Sequence, residues 1–403
     1  MKLDSSILYL KGFPKNKYDK FLELKPLEPF SDLVLNYLSI LSKEIFKNKS
    51  SKEYSDLITF AFFCRKANLM LLKNKHTNKQ FSIGRGFVFH ITPSNVPMNF
   101  AFSLCAGLLA GNHNLIKLPT KNYKQINILI NIINLLSKDL SYEKISNRIS
   151  LVKYDKKNKN ITDRFSKDCD LRVIWGGDQS IDSIRKSKLS PKSLEITFPD
   201  RYSFSLFNAD FFLDNTDHRA LLNNFYNDTY LTDQNACTSP LLIIWYGDQK
   251  KIKSAKNIFW NKFHEFVKKN YRISTLSILD KFTTFCEKAT DSSDIYLTKS
   301  PDNLIWRIKI NTLDDNIENH RSNSGYFLEY DSLSLEEISN FITKKYQTMS
   351  YYGFEKNKLK NLIKAIRPSG IDRVVPIGRT MDFSLYWDGN DLIKSFSRTI
   401  EII

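Results

Sequence analysis

Gly86-Phe87-Val88-Phe89-His90-Ile91-Thr92-Pro93-Ser94-Asn95-Val96-Pro97 is the stretch on which the fold turns. Its first half, Gly86 to Ile91, is a short β-rich run and reads as a buried strand. Thr92-Pro93-Ser94-Asn95 is turn chemistry, because proline and asparagine punctuate a chain. A small-residue helix follows, with Pro97 near its first position, where a missing N–H costs little. Phe100, Leu104 and Leu108 lie along it, and Gly111 stands where a C-terminal cap glycine belongs. Leu115-Ile116-Lys117-Leu118 reads as another strand, and the Ile- and Leu-rich run from Ile126 to Leu136 as another helix. Strand, helix, strand, helix predicts a parallel sheet and an α/β fold.

The pattern recurs downstream. Leu171-Arg172-Val173-Ile174-Trp175 is a strand, Gly176-Gly177-Asp178 its turn, and Ile181 and Ile184 sit on the helix that Asp178 is placed to cap. Ser203-Phe204-Ser205-Leu206-Phe207 opens a second region, with a strand at Leu241-Leu242-Ile243-Ile244-Trp245 and a long amphipathic helix through Ile252, Ala255, Phe259, Phe263 and Phe266. Ser334-Leu335-Glu336-Glu337 has the spacing of a capping box, as does Ser50-Ser51-Lys52-Glu53. Upstream, Val34, Tyr37, Leu38, Leu41 and Ile45 share one helix face. A second amphipathic helix, through Leu57, Ile58, Ala61 and Cys64, makes Cys64 a core residue. The expected organisation is residues 1–200 as N-terminal helices plus a cofactor-binding domain, 201–375 as a catalytic domain, and 376–403 as a closing segment.

The chain has 403 residues and a formal net charge of +17. That length suits two domains. A basic surface attracts anions such as nucleic acid, membrane phosphate or a phosphorylated small molecule. No arginine stripe interleaved with aromatics, zinc finger or RNP-type motif accompanies it, so nucleic acid is not the expected partner. The five cysteines are odd in number, widely spaced and without CxxC, which argues against a disulfide framework or a structural metal site. Met1-Lys2-Leu3-Asp4-Ser5-Ser6 lacks the apolar core of a signal peptide, and no apolar run is long enough for a membrane span. The expected setting is the cytoplasm, with reduced thiols.

Three segments have the residue types of a reaction site. In Thr92-Pro93-Ser94-Asn95, the Asn95 amide reads either as an oxyanion donor at the edge of a parallel sheet or as a helix N-cap. Gly176-Gly177 after a strand reads either as a tight turn or as a place where backbone N–H groups approach a phosphate. It is not GxGxxG. In Asp233-Gln234-Asn235-Ala236-Cys237-Thr238-Ser239-Pro240, Cys237 reads either as a small buried thiol or as a nucleophile amid polar residues.

Together with Leu108-Leu109-Ala110-Gly111-Asn112, Arg373-Val374-Val375-Pro376-Ile377-Gly378-Arg379 and Trp387-Asp388-Gly389, these segments resemble the LuxC family of acyl-CoA and fatty-acyl reductases. The order is right from about residue 80 onward. That family is similar to the aldehyde dehydrogenase superfamily. The resemblance implies two parallel-sheet α/β domains with the active site in the cleft between them, with Cys237 as nucleophile and Asn95 as oxyanion donor. It implies Thr92, Pro93, Ser94, Gly176 and Gly177 along the cofactor, and either Lys117 or Lys121 at the adenosine ribose. A lysine there favours a 2′-phosphate, hence NADPH, with NADH as the alternative. The superfamily's Glu-Leu-Gly-Gly segment is not intact, and Glu195 is the nearest candidate for its base.

The implied chemistry is attack of the Cys237 thiolate on an acyl thioester, departure of the donor thiol, and reduction of the acyl-cysteine to aldehyde. The donor is an acyl-CoA or an acyl-protein, and the implied partners are an acyl-protein synthetase, an acyltransferase and further copies of the chain. Oxidation of an aldehyde, or a non-catalytic subunit of a reductase complex, are the alternatives.

Overall fold

The computed structural model describes residues 6–13, 17–76, 80–291, 295–298, 301–313 and 317–403. The reading of the first residues as lacking a signal core falls largely on 1–5, outside the described residues. The chain divides into two compact units, one of Met1–Pro199 with Phe383–Ile403, the other of Asp200–Asp382.

The first unit's strands up to Pro199 are β1 (Leu8–Lys11), β2 (Ser82–Gly84), β3 (Phe87–Ile91), β4 (His113–Lys117), β5 (Ile149–Lys153), β6 (Leu171–Trp175) and β7 (Leu194–Phe198). Six of them form a sheet in the order β1-β5-β4-β3-β6-β7. Only β1 runs antiparallel to its neighbour. Every residue of β3 and β6 is buried, because helices cover both faces; this is why these strands read as continuous rather than alternating apolar runs. The chain lays down β3, β4 and β5 to one side, then returns to place β6 against the other side of β3. That reversal is a topological switch point, and its crevice opens at the C-terminal ends of β3 and β6. Residues Ser397–Thr399 come back to pair with β2.

The helix Asn99–Leu109 packs on this sheet and ends as its glycine predicts, with Gly111 at φ +89°. Its N-cap is Met98, so Pro97 precedes the helix rather than opening it. Neither capping box forms as spaced. Ser50 lies inside a short 3-10 helix capped by Asn48. Ser334 does cap Leu335–Asn340, but the Glu337 carboxylate is taken by Tyr330 and Ser332.

The second unit holds β8 (Tyr202–Asn208), β9 (Leu242–Tyr246), β10 (Ile295–Thr298), β11 (Trp306–Ile310), β12 (Tyr326–Ser332), β13 (Tyr346–Tyr352) and β14 (Arg373–Pro376). Their order is β10-β11-β12-β9-β8-β13-β14, with only β10 antiparallel. One carboxylate is buried in this sheet. Glu329 accepts from the indoles of Trp245 and Trp260 at 3.1 and 2.7 Å on one oxygen, and from Arg307 at 2.8 Å on the other. Burial raises its pKa and the neighbouring Lys256 and Arg307 lower it; the charges win, and the net shift is downward.

Gly107 marks how tightly the first unit closes. A Cβ there would stand 1.9 Å from Asn114 Oδ1. Gly107→Ala is expected to cost about 2–4 kcal/mol, by overpacking and by loss of a buried hydrogen bond. Gly177→Ala, whose Cβ meets nothing within 4 Å, should leave the thermal midpoint unchanged. Calorimetry of the two variants checks the contrast.

Candidate active site

Three of the singled-out segments follow the C-terminal ends of adjacent strands in the first unit. Thr92-Pro93-Ser94-Asn95 follows β3, Lys117 ends β4 and leads to Lys121, and Gly176-Gly177 follows β6. Thr92 binds the neighbouring strand through its N–H and its hydroxyl, both donating to the Lys117 carbonyl at 3.3 and 2.9 Å. The Tyr123 hydroxyl donates to the Ser94 carbonyl, and the Lys121 ammonium lies over the Tyr123 ring, 5.2 Å from its centroid. Ser94 and Asn95 are exposed. Asn95 is not the cap of the helix that follows, because that cap is Met98.

The two candidate lysines differ in surroundings. Lys117 is half-buried over the Tyr154 ring at 4.6 Å, and burial pushes its pKa down. Lys121 is exposed. Gly177 is the N-cap of helix Asp178–Arg185 and no side chain caps it. Neither Gly176 nor Gly177 has a positive φ, and a Cβ at Gly177 would enter open space. The glycines are therefore not required by the turn. They leave the start of a helix uncovered, which is the form of a phosphate-binding turn.

Behind this edge runs a buried hydrogen-bond chain that the sequence did not reveal. Asn114 Nδ2 donates to the Asn112 carbonyl at 3.1 Å, which fixes the amide and turns Asn114 Oδ1 toward His90 Nε2 at 3.0 Å. His90 must then carry its proton on Nε2, and Nδ1 accepts from the Ser103 hydroxyl at 2.7 Å. Ser103 Oγ in turn accepts from the Trp175 indole at 3.0 Å. Burial lowers the His90 pKa to about 4, so the ring is neutral and the direction of the chain is fixed. The signal available in sequence was a lone histidine inside an otherwise apolar strand.

Glu195 is not brought to this edge. It is the second residue of β7, opposite Arg172, the second residue of β6. Arg172 donates to one carboxylate oxygen at 2.9 Å and Arg185 to the other at 2.8 Å. Arg172 is buried and also donates to Ser166 and to the Ser187 carbonyl. The surroundings of Glu195 are those of a counter-ion to a buried guanidinium, which differs from the expected base.

In the second unit, Cys237 lies before β9, at the N-terminal edge of its sheet. Cys64, Cys105 and Cys169 are buried; Cys237 is half-exposed. The loop reaches it through two left-handed residues, Asp233 at φ 50° and Gln234 at φ 55°. Gln234 is buried and clamps the loop to β12. Its side-chain oxygen accepts from the N–H groups of Gly325 and Tyr326 at 2.6 and 3.0 Å, and its amide donates to the Pro240 carbonyl at 3.2 Å. The Ser203 hydroxyl donates to the Cys237 carbonyl at 2.7 Å, tying the cysteine's own peptide to β8. Gln234 stood in the quoted segment, but its partners lie some ninety residues downstream and no local pattern announces them.

The end segment is held by Asp228, which accepts from the N–H groups of Gly378 at 2.6 Å and Thr380 at 3.1 Å. Among the described residues no group of three or more His, Cys, Asp or Glu side chains could hold a metal ion, and no helix is long and apolar enough to cross a membrane.

The fold is similar to that of aldehyde dehydrogenases. A lactaldehyde dehydrogenase superposes with a TM-score of 0.64 at 12% identity, over 95% of this chain and 87% of that one. Aldehyde dehydrogenase 21 from Physcomitrella patens, in complex with succinate, gives 0.61 at 13% identity, over 92% and 83%. A 3,6-anhydro-L-galactose dehydrogenase in complex with NAP gives 0.54 at 11% identity, over 86% and 77%. A search of curated proteins by sequence gives no match. The model of the acyl-CoA reductase (LuxC) family matches residues 65–399, and the chain belongs to that family. It is accordingly an oxidoreductase of acyl or aldehyde groups.

Two outcomes follow from these contacts. Glu195→Ala leaves a buried arginine without its counter-charge and should cost about 3 kcal/mol of stability. Acyl transfer to the protein by the fraction that remains folded should be unchanged; intact stability with lost turnover would restore Glu195 as a base. Burial raises the Asp228 pKa from 3.8 to about 6. The folded state then holds a proton that the unfolded state has lost, so stability should fall as pH rises from about 4 to about 6. Thermal midpoints against pH check this, and Asp228→Asn should flatten that part of the curve.

Proposed function

We propose that the chain reduces an acyl thioester to the aldehyde with NADPH, through an acyl-cysteine on Cys237. The observation that carries this is the placement of Cys237: a half-exposed thiol on a loop fixed from both sides by Gln234 and Ser203. Packing alone does not call for a cysteine so held. The thiolate adds to the thioester carbonyl, the C–S bond to the donor breaks, and the donor thiol leaves with a proton. A sulfur leaving group makes both the first exchange and the final release of aldehyde easy. By the resemblance, we assign the amide that holds the carbonyl oxygen as it becomes negative to Asn95.

A nicotinamide cofactor supplies the hydride when bound. Thr92, Pro93, Ser94, Gly176 and Gly177 are proposed to line it, since they follow the two strands flanking the switch point. Lys117 and Lys121 would favour a 2′-phosphate and hence NADPH over NADH. The solved neighbour in complex with NAP supports a cofactor of this type. The donor is proposed to be an acyl-CoA or acyl-protein, in the cytoplasm, with a synthetase and an acyltransferase as partners and with self-association of the chain. The ion pairs of Glu195 count against oxidation of an aldehyde to the free acid, which needs a base to activate water.

The test is NADPH consumption with tetradecanoyl-CoA, with mass spectrometry of the protein before cofactor is added. A tetradecanoyl adduct on Cys237, and loss of both adduct and turnover in Cys237→Ala but not in Cys286→Ala, is the expected result. Turnover that survives in Cys237→Ala would overturn the assignment.

A further inference from the structure

A polar cavity of about 150 Å³ lies in the second unit, lined by Asp200, Arg201, Tyr202, Glu318, Asn319, Arg321 and Lys345. It is at the same sheet edge as Cys237. Tyr202 opens β8, and the next residue, Ser203, is the one whose hydroxyl holds the Cys237 carbonyl. Three more wall residues, Glu318, Asn319 and Arg321, come from the segment before β12, against whose first residues Gln234 clamps the cysteine loop.

Three buried polar atoms in these walls have no hydrogen-bond partner: Arg201 Nε, the Tyr202 hydroxyl and Glu318 Oε2. Tyr202 is 1% exposed and Glu318 8%. Orphaned groups at such depth are costly unless something meets them. The set contains a donor, an acceptor and a group that can be either. The charges around it cancel. Arg201 is paired with Asp372 and Arg321 with Asp200, leaving exposed Lys345 against Glu318. A phosphate would find only the exposed Lys345 outside those two ion pairs and would face the Glu318 carboxylate. A neutral group that both donates and accepts, such as a secondary amide, matches all three atoms.

We infer that this cavity binds an amide of the pantetheine arm that carries the acyl thioester, and so selects donors built on that arm. The inference rests on the thioester-reductase reading above. Coenzyme A and a phosphopantetheine-bearing carrier protein both present this arm, and the amide is the chemistry they share.

The test compares thioesters of one acyl group on coenzyme A, on a carrier protein, on N-acetylcysteamine, which keeps one amide, and on ethanethiol, which has none. For the native protein, kcat/KM for formation of the Cys237 adduct should be lower for the ethanethiol ester than for the coenzyme A ester by about tenfold or more, the effect of one hydrogen bond to a charged group. Tyr202→Phe and Glu318→Gln should lower kcat/KM for the amide-bearing donors by a similar factor and leave the ethanethiol ester unaffected. The more efficient of coenzyme A and carrier protein identifies the source of the arm. Equal rates for all four donors, or variants that slow every donor alike, would overturn the cavity's role while leaving Cys237 as nucleophile. No adduct from any of the four would overturn both readings.

Discussion

A parallel strand must be reached by a crossover, so every connection in such a sheet returns to the same starting edge before the next strand begins. Most of the first unit follows from that constraint. Crossovers need helices, helices cover both faces, and covered strands are mostly apolar. When the chain changes side after β5, the connections after β3 and β6 diverge and leave a crevice between them. Thr92-Pro93-Ser94-Asn95 and Gly176-Gly177 are neighbours in space because of that reversal, although about eighty residues separate them in sequence.

Several of the polar groups buried in these sheets come in mutually bonded sets. The run from Trp175 through Ser103 and His90 to Asn114 has a donor for each acceptor, and the Glu329 carboxylate meets two indoles and a guanidinium. Gln234 uses the same economy at the loop of Cys237, meeting two N–H groups and a carbonyl at once. Each set ties together elements distant in sequence. The walls of the cavity at Tyr202 and Glu318 bring three buried polar atoms outside any such set to one opening.

The fold class was legible because β3, β4 and β6 carry short runs of β-branched, aromatic and other apolar residues with turn residues after them. Residues such as Pro97 and Ser50 misplaced helix starts by a few positions, since a proline or serine is compatible with several places around a helix end. The strands β5, β7 and β11 through β13 were not read. Ile149–Lys153 mixes serine and lysine with its apolar residues, and β11 and β12 contain charged residues whose partners come from other strands. The candidate site residues were picked out where the signal is local: Cys237 and the turns at Asn95 and Gly176 stand out by composition. The ion pairs of Glu195 were not legible, because Arg172 reaches it through strand register and Arg185 from the helix between the two strands. His90 and Gln234 went unseen for the same reason.

The first unit contains residues on both sides of the second in sequence. Ser397–Thr399 pair with Ser82–Gly84, Asn112 donates to the Phe396 carbonyl at 2.9 Å, and Arg85 donates to that of Ser395 at 2.8 Å. All three contacts wait for residues synthesised after the whole of Asp200–Asp382. During translation the second unit therefore has its full set of residues first, although the first unit began earlier. The six-stranded sheet must remain in the ribosome's company with Asn112 and the edge of β2 unsatisfied until the last turn of chain arrives, an interval in which a chaperone has something to hold.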